Sequence, residues 1–419
     1  MKPLIIRFYR LLCVCAMPLS VSAQDTTYLS LSEAEAVFFK QNLSLLAAHC
    51  HVEAERAGEI QAKLYPNPIL GTTFNLHDPE SRKWLHTGRN GQSTVGIEQL
   101  ILLGGKRKAA LDAAKANSEW AEANLKSLIR ELLHELRTVA YTRSYLGQNL
   151  SLNAQQRQQL ELLGGYLKTQ VEKNNIPVKD LIRIQSAKMR LINNENELRE
   201  KMAEYDSRIK ILLGTTSSVR IKVDSHSLLS FNLPVPVDSL YALALRFRPE
   251  MEIAGARKRA AEREYALERK QAIPDITLSA DYDRQSGAFR NEFNAGISIP
   301  MPLFNRNQGN IIAARQRAGA AGFEATQLQQ QVLAEIDQAY ANWINRMAAW
   351  KAMREMPRSD FEELLNAATS NYRKGNLNLL EFMDLFESTT DAFDAAIDAE
   401  LQLVLAAEQL RYVSGAPLF

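Results

Sequence analysis

Two acidic residues in the last quarter of the chain, Glu381 and Asp384, have a type and spacing that could do chemistry. Residues three apart share one face of a helix, so the two carboxylates are predicted to lie side by side just after the turn at residues 375–378. Carboxylates that line a narrow passage favour cations. The simpler interpretation is an acidic helix start, which suits the helix dipole. These residues alone leave both interpretations open.

A second candidate is the run His49-Cys50-His51, which offers three potential metal ligands in a row. Consecutive residues on a helix point about 100° apart, so one metal ion cannot easily bind all three. We therefore predict that this run takes part in helix packing, and we predict no metal site.

The sequence offers no candidate for catalysis or for nucleic-acid binding. It contains no nucleophile elbow, phosphate-binding loop, zinc motif or dinucleotide-binding glycine motif. The formal net charge of +2 gives no basic field that would attract nucleic acid. We predict that the chain is not an enzyme and needs no cofactor.

Long helices must position the acidic pair. From Lys106 to about Lys173 there is no proline, and apolar residues recur at steps of three and four. Such a helix would be about 100 Å long at 1.5 Å per residue, which is typical of a rod. Its counterpart from Asn307 to about Lys374 is interrupted by Pro357, where we expect a kink or a break. Shorter helices are predicted at residues 32–63, 179–213, 238–271 and 379–413.

The predicted strands come in two pairs between the helices. Apolar and polar residues alternate at about residues 68–77 and 93–101, and again at about 275–284 and 291–300. Segments of about ten residues with this alternation are the weak signature of outer-membrane barrel strands. Open strand edges are not tolerated in lipid, so four strands must be part of a barrel shared between copies. Two copies would give eight strands and a filled interior, and three would give twelve and a passage.

The chain is duplicated. The sequence around residues 64–68 reappears at 272–276, and Lys173–Ile176 reappears as Lys374–Leu377, with offsets of about 200 residues, far beyond the period of a solenoid. We predict a first repeat at residues 24–216, a linker at 217–237 and a second repeat at 238–419.

Residues 1–23 have the parts of a cleaved export signal: a positively charged start, an apolar stretch from Leu11 to Val21, and small residues before Gln24. Leu12 and Val14, rather than small residues, precede Cys13 and Cys15, so we predict that the protein is not a lipoprotein. Cys50 is then the one cysteine of the mature chain, and no intramolecular disulfide can form.

These features resemble the TolC-like outer-membrane efflux ducts over essentially the whole mature chain. Two segments look most like the CzcC-like proteins of heavy-metal cation efflux. They are Leu103-Gly104-Gly105-Lys106-Arg107 and Pro300-Met301-Pro302-Leu303-Phe304-Asn305-Arg306-Asn307-Gln308-Gly309.

The resemblance implies a mainly α fold with a membrane β-barrel portion. Three chains would form a twelve-stranded barrel in the outer membrane and a twelve-helix tube in the periplasm. The implied partners are a periplasmic membrane-fusion adaptor, an inner-membrane pump of the resistance-nodulation-division type, and outer-membrane lipid. At the junctions between barrel and tube, prolines would end a strand, glycines would turn the chain, and Lys106 and Arg306 would reach lipid headgroups. The junction residues are Gly104, Gly105, Lys106, Pro300, Pro302, Arg306 and Gly309.

The resemblance also assigns roles to the turns between the long helices. The turns would dock the adaptor, through Asn174, Asn175, Ile176, Pro177, Gly375, Asn376, Leu377 and Asn378. Glu381 and Asp384 would form rings of carboxylates at the periplasmic aperture. The first repeat has Asp180 and Arg183 at the equivalent positions, so the acidic pair is not duplicated.

We therefore predict a passive exit duct of a tripartite efflux system, with divalent heavy-metal cations as the favoured substrate. A duct for multidrug efflux or for type I secretion is the alternative within the same class. A periplasmic structural coiled coil is the alternative of another class, and it explains the rods but not the paired strands.

Overall fold

A computed structural model describes residues 26–79, 82–87, 91–224, 236–285, 289–354, 358–416 and 418. The predicted export signal and Pro357 lie outside these residues. Within the described part of the chain, no helix combines the length and the apolar character that a membrane span requires.

Helices dominate the described chain. The strands are β1 (Thr27–Ser30), β2 (Ile69–Phe74), β3 (His77–Asp78), β4 (Lys83–Trp84), β5 (Ser93–Ile101), β6 (Val219–Lys222), β7 (Ile276–Gln285) and β8 (Phe289–Ser298). The helices are α1 (Leu31–Gln41), α2 (Leu43–Lys63), α3 (Lys106–Glu172), α4 (Val178–Leu213), α5 (Val237–Phe247), α6 (Pro249–Gln271), α7 (Gln308–Met353), α8 (Arg358–Arg373) and α9 (Leu379–Ser414).

The chain divides into two compact units. The first comprises residues 1–42 and 139–223, and the second comprises residues 43–138 and 224–419. Helix α3 is continuous and contributes residues to both units.

The first unit contains β1, α1, the second part of α3, α4 and β6. Strands β1 and β6 pair in parallel, with Thr27 opposite Val219. Phe38 of α1 and Tyr145 of α3 are among the fully buried side chains of this unit. Strand β6 was not predicted and lies within the stretch expected to be a linker.

A four-stranded antiparallel sheet in the order β2-β5-β7-β8 is the centre of the second unit. Its middle pair joins the two repeats, with Ile97 of β5 opposite Ala280 of β7. The four strands therefore occur in the regions where alternation predicted them. The short hairpin of β3 and β4 was not predicted.

The two faces of this sheet differ in character, because side chains alternate between faces along a strand. Cross-strand rows on one face are Leu70–Ile97–Ala280–Ala295 and Thr72–Val95–Tyr282–Phe293. Leu70 and Phe293 are 72% and 81% exposed, so this apolar face is uncovered in the single chain. The other face is mostly polar, although Ile69 and Leu100 also lie on it.

Ion pairs connect four helices of the second unit in the order α2–α3–α6–α7. Arg56 of α2 binds Glu122 of α3 at 2.7 Å, and Glu119 of α3 binds Arg259 of α6 at 3.1 Å. Arg257 of α6 then binds Glu324 of α7, also at 3.1 Å. Helix α9 packs on α7 and α8.

The prediction of one continuous helix over residues 32–63 is wrong, because the helix breaks at Asn42. The buried Asn42 side chain donates a hydrogen bond to the Leu212 carbonyl at 2.8 Å, near the end of α4. Gly214 follows α4 with φ of +60°, and a Cβ there would lie 2.2 Å from the Gln41 carbonyl oxygen. Only a glycine therefore fits at this position, where the end of α4 lies against the backbone next to the break.

The same arrangement recurs in the second repeat, where the predicted helix over residues 238–271 breaks at Arg248. The buried Arg248 guanidinium binds Glu335 at 2.7 Å. Gly415, which follows α9 with φ of +69°, lies against the Arg248 backbone. Pro249 begins α6, as suits a residue without a backbone N–H. The duplication thus extends to the helix breaks.

Candidate functional site

The turn between α3 and α4 is a helix C-cap with a left-handed residue. Asn174 has φ of +58°, and its N–H donates to the Val171 carbonyl at 2.9 Å. The Asn175 N–H donates to the Gln170 carbonyl at 2.9 Å, and its side chain bonds the Gln170 side chain. This pair of backbone bonds defines a Schellman motif, which satisfies the last carbonyls of the helix.

The turn between α8 and α9 repeats this geometry. Gly375 has φ of +78°, and its N–H donates to the Tyr372 carbonyl at 3.0 Å. The Asn376 N–H donates to the Asn371 carbonyl at 2.9 Å. The predicted tips are therefore equivalent turns, and they present exposed polar residues followed by half-buried Ile176 or Leu377.

Glu381 helps to begin α9. The Asn378 side chain accepts a hydrogen bond from the Glu381 N–H at 3.0 Å, and the Glu381 carboxylate accepts one from the Asn378 N–H at 2.9 Å. This capping box stabilises the start of the helix. In the first tip, Pro177 occupies the N-cap position without a side-chain bond. Glu381 and Asp384 are both exposed, and they lie on the same side of α9.

The acidic pair belongs to a longer run that sequence reasoning missed. From Leu379 to Leu410 helix α9 contains no lysine or arginine. Its acidic residues there are Glu381, Asp384, Glu387, Asp391, Asp394, Asp398, Glu400 and Glu408. Counting charges along this segment would have found the run.

Aromatic packing orients the first part of the acidic run outward. Phe382 and Phe386 are buried, and the Phe382 ring centroid lies 5.4 Å from that of Tyr372 in α8. Because buried residues recur at steps of three and four, the opposite side of α9 carries the exposed carboxylates, which are Glu381, Asp384, Glu387, Asp391 and Asp398.

Three members of the run are not exposed: Glu408 is 2% exposed, and Glu400 and Asp394 are partly buried. The Oδ1 atom of Asp394 is shielded from solvent and accepts no hydrogen bond. Burial, and secondarily the charge of Asp391, raise the pKa of Asp394 above its ordinary value.

At the first junction between sheet and helix, Asp275 connects the two repeats. Its carboxylate accepts a hydrogen bond from the Leu103 N–H at 3.0 Å and binds the Lys106 ammonium at 2.7 Å. Lys106 is buried, so the expectation that it extends to lipid headgroups is wrong: its charge is neutralised inside the chain.

The glycines of the first junction are required by the backbone. Gly104 and Gly105 have φ of +67° and +77°, and a Cβ at Gly104 would lie 2.4 Å from the Ile273 side chain. Glycine adopts this region at little cost. The prediction that these glycines turn the chain therefore agrees with the geometry.

The second junction makes its turn differently. Strand β8 ends at Ser298, and the exposed Pro300 and Pro302 follow. Asn307, rather than Gly309, has the left-handed conformation, with φ of +59°, and its side chain bonds the Glu268 carbonyl at 2.9 Å. Gly309 lies in the first turn of α7 with open space around it, so the conformational role predicted for Gly309 is wrong. Arg306 is exposed.

The polar face of the sheet carries four carboxylates, on Glu98, Asp281, Asp283 and Glu292; we call this the acidic face. Asp283 lies directly opposite Glu292 and accepts a hydrogen bond from Thr94 at 3.1 Å. Among the strand residues whose side chains the structure describes, none on this face is basic. Like charges opposite each other destabilise a sheet, so the acidic face does not serve sheet stability.

The run His49-Cys50-His51 is exposed on α2, so the packing predicted for it is not observed within the chain. No group of three or more histidine, cysteine or acidic side chains in the described residues is arranged to hold a metal ion.

Comparison with known proteins identifies the family. The model of the outer membrane efflux protein family matches residues 38–171 and 240–416, one segment in each half of the chain. The chain belongs to this family. Membership confirms the predicted resemblance, and it means that the chain is an outer-membrane efflux protein and not an enzyme.

Two relatives carry the names of heavy-metal resistance proteins. The cobalt-zinc-cadmium resistance protein CzcC of Cupriavidus metallidurans is 25% identical over 362 residues, covering 85% of this chain and 82% of that protein. The nickel-cobalt-cadmium resistance protein NccC of Alcaligenes xylosoxydans xylosoxydans is 26% identical over 309 residues, covering 70% and 67%.

Solved structures show the same fold. CusC matches with a TM-score of 0.75 at 18% identity, covering 94% of each chain. The outer-membrane protein VceC of Vibrio cholerae matches with a TM-score of 0.72 at 17% identity, covering 92% of this chain and 96% of that one. The predicted TolC-like fold of the single chain is thereby confirmed.

The raised pKa of Asp394 predicts a pH-dependent stability. The folded chain holds this proton more tightly than the unfolded chain, so ionisation above about pH 4 costs stability. Asp394→Asn should therefore raise the unfolding temperature at pH 7.5, with a gain that shrinks towards pH 4. Thermal unfolding followed by circular dichroism would measure it. The exposed Asp384→Asn is the control, and an equal gain at both pH values would contradict the prediction.

Proposed function

We propose that three copies of the chain form an exit duct in the outer membrane, which passively conducts divalent heavy-metal cations. A periplasmic adaptor and an inner-membrane pump of the resistance-nodulation-division type would deliver the substrate and supply the energy. The observation that carries this proposal is the four-stranded sheet, with its exposed apolar face and its acidic face.

A shared barrel explains both faces of the sheet. Strands β2 and β8 are its edges, and no strand among the described residues pairs with their outer backbone groups. Lipid does not tolerate such edges, whereas pairing between copies satisfies them. Three copies would supply twelve strands, with the apolar face towards lipid and the acidic face towards a water-filled passage.

Two separate acidic surfaces favour cations as the substrate. The acidic face would attract cations within the barrel, and the exposed carboxylates of α9 would do so along the helical tube. The names of CzcC and NccC, which refer to cobalt, zinc, nickel and cadmium resistance, point to divalent metals among possible cations.

The tips would dock the adaptor, and the acidic pair would line the aperture beside them. The equivalent Schellman turns at residues 174–175 and 375–376 would give the adaptor two similar contacts in each chain. Glu381 and Asp384 follow the second tip only, so a trimer would have one ring of three for each residue. The capping role of Glu381 does not remove its charge.

Neutralising the acidic pair should reduce cation preference. A carboxylate about 10 Å from a cation in water attracts it by about 0.4 kcal/mol, so a ring of three contributes about 1.2 kcal/mol before salt screening. Glu381→Gln with Asp384→Asn should therefore lower the cation-to-anion permeability ratio several-fold at low salt, measured in planar bilayers. Asp180→Asn, at the equivalent position of the first repeat, is the matched control. An unchanged ratio in the double variant would remove the aperture assignment.

The substrate class can be tested in cells. A deletion strain should become sensitive to zinc, cobalt or cadmium, and the wild-type chain should restore growth. Drug sensitivity or loss of a secreted protein, with unchanged metal tolerance, would favour the multidrug or type I secretion alternative.

The variant Asp281→Asn with Asp283→Asn should restore metal tolerance less well than Thr277→Ala, a change on the same strand that keeps the carboxylates.

A further inference from the structure

The four-helix layer α2–α3–α6–α7 ends in two edge helices. Within the described residues, ion pairs join α2 to α3, α3 to α6 and α6 to α7, so α2 and α7 are the ends of this series. The edge strands follow the same order, because β2 comes directly after α2 and β8 comes directly before α7. The open edges of the sheet, β2 and β8, are therefore connected directly to the open edges of the helix layer, α2 and α7.

The outer face of α7 carries a large exposed aromatic residue. Ala314 and Ala321 are buried, and Ala321 lines a pocket with residues of α6. Phe323 lies two residues after Ala321, which is about 200° around the helix, and it is 80% exposed. Uncharged exposed residues continue this face at steps of three and four: Ile312, Gln316, Gly319, Phe323, Gln327 and Gln330.

The outer face of α2 has a matching character. Leu45 and Val52 are the buried residues of α2, and Val52 faces α3 across a shared pocket. The side of α2 opposite to them is exposed and uncharged, at Leu43, Ala47, Cys50, Ala54, Ala57 and Gln61. Spacing of three and four between such residues is typical of a seam between two helices, where a large side chain fits among small ones.

The ion pairs show which residues of α7 and α2 lie at the same height along the helix axes; we call this height the level. The pairs Arg257–Glu324, Arg259–Glu119 and Arg56–Glu122 cross the layer from α7 to α2 as a continuous belt. Phe323 adjoins one end of the belt and Ala57 adjoins the other. A rotation about an axis along the helices preserves level, so these two ends would meet when identical copies form a ring.

We propose that Phe323 of one copy packs on α2 of the next copy, against Ala54 and Ala57, and that this contact sets the register of the assembly. The proposal rests on the trimer of the proposed function and specifies which faces form its helical interface. The outer face of α7 carries glutamines, which are unsuited to contact with lipid. Neither outer face carries charge, which is unsuited to a docking site formed by ion pairs. A second copy of the chain would place its α2 face against the α7 face of the first copy, with Ala57 and Phe323 at the same level.

Disulfide cross-linking tests this contact. In a Cys50→Ala parent, Phe323→Cys is combined with Ala54→Cys or with Ala57→Cys, and the membranes are oxidised. A disulfide needs Cα atoms about 4.4–6.8 Å apart, so at least one pair should give covalent oligomers on a denaturing non-reducing gel. The control combines Gln330→Cys with Ala54→Cys, on the same faces but about 10 Å further along α7. The expected cross-linked fraction is roughly tenfold above that control.

The oligomeric state of the parent in detergent separates the possible failures. If the parent is a trimer and neither Phe323 pair cross-links, the proposed contact between α7 and α2 is wrong. The same conclusion holds if the Gln330 pair cross-links better. Neither result would contradict the proposed trimeric duct. If the parent is a monomer, the assembly in the proposed function fails together with the seam.

Discussion

Within the part of the chain that the structure describes, the backbone N–H and C=O groups along the outer edges of β2 and β8 have no partner strand, and most other features depend on this constraint. The sheet also exposes an apolar face that water would disfavour and an acidic face that lipid would exclude. An assembly that pairs the edges and separates the two faces satisfies all three requirements together. The edge helices α2 and α7, with their uncharged outer faces, meet the same requirement in the helical part.

The two repeats meet the demands of a sheet-to-helix junction with different residues. In the first repeat, Gly104 and Gly105 turn the chain, and Asp275 of the second repeat holds Lys106 and the Leu103 N–H. In the second repeat, Asn307 makes the turn and is held by Glu268. Equivalent backbone paths therefore come from unlike sequences, whereas the acidic run of α9 has no such counterpart in α4.

Periodicity made much of the fold predictable from sequence. The two-residue alternation located the four strands of the sheet, and the three-and-four spacing located the long helices. The break at Asn42 could not be predicted in the same way, because its cause is a hydrogen bond to Leu212 from a distant part of the chain. Pro249 did offer a local signal for the break at Arg248. Gly309 misled because asparagine, at Asn307, also tolerates the left-handed region.

The candidate site was predictable only in part. The tip turns followed from Asn174 and Gly375, both common at helix ends, and the acidic pair followed from spacing. The burial of Lys106 was not predictable, because it requires knowing that Asp275 is adjacent in space. The acidic face required the cross-strand register, which sets Asp283 opposite Glu292.

The face of β7 that contacts lipid can be measured directly. Single cysteines along residues 276–283, in a Cys50→Ala parent, would carry a nitroxide whose accessibility to oxygen and to a water-soluble nickel chelate is compared in membranes. If the apolar face of the sheet contacts lipid, oxygen-dominated accessibility is expected at Leu278, Ala280 and Tyr282, alternating with chelate-dominated accessibility at Ser279, Asp281 and Asp283. Equal access of the chelate to both sets would contradict lipid contact by the apolar face.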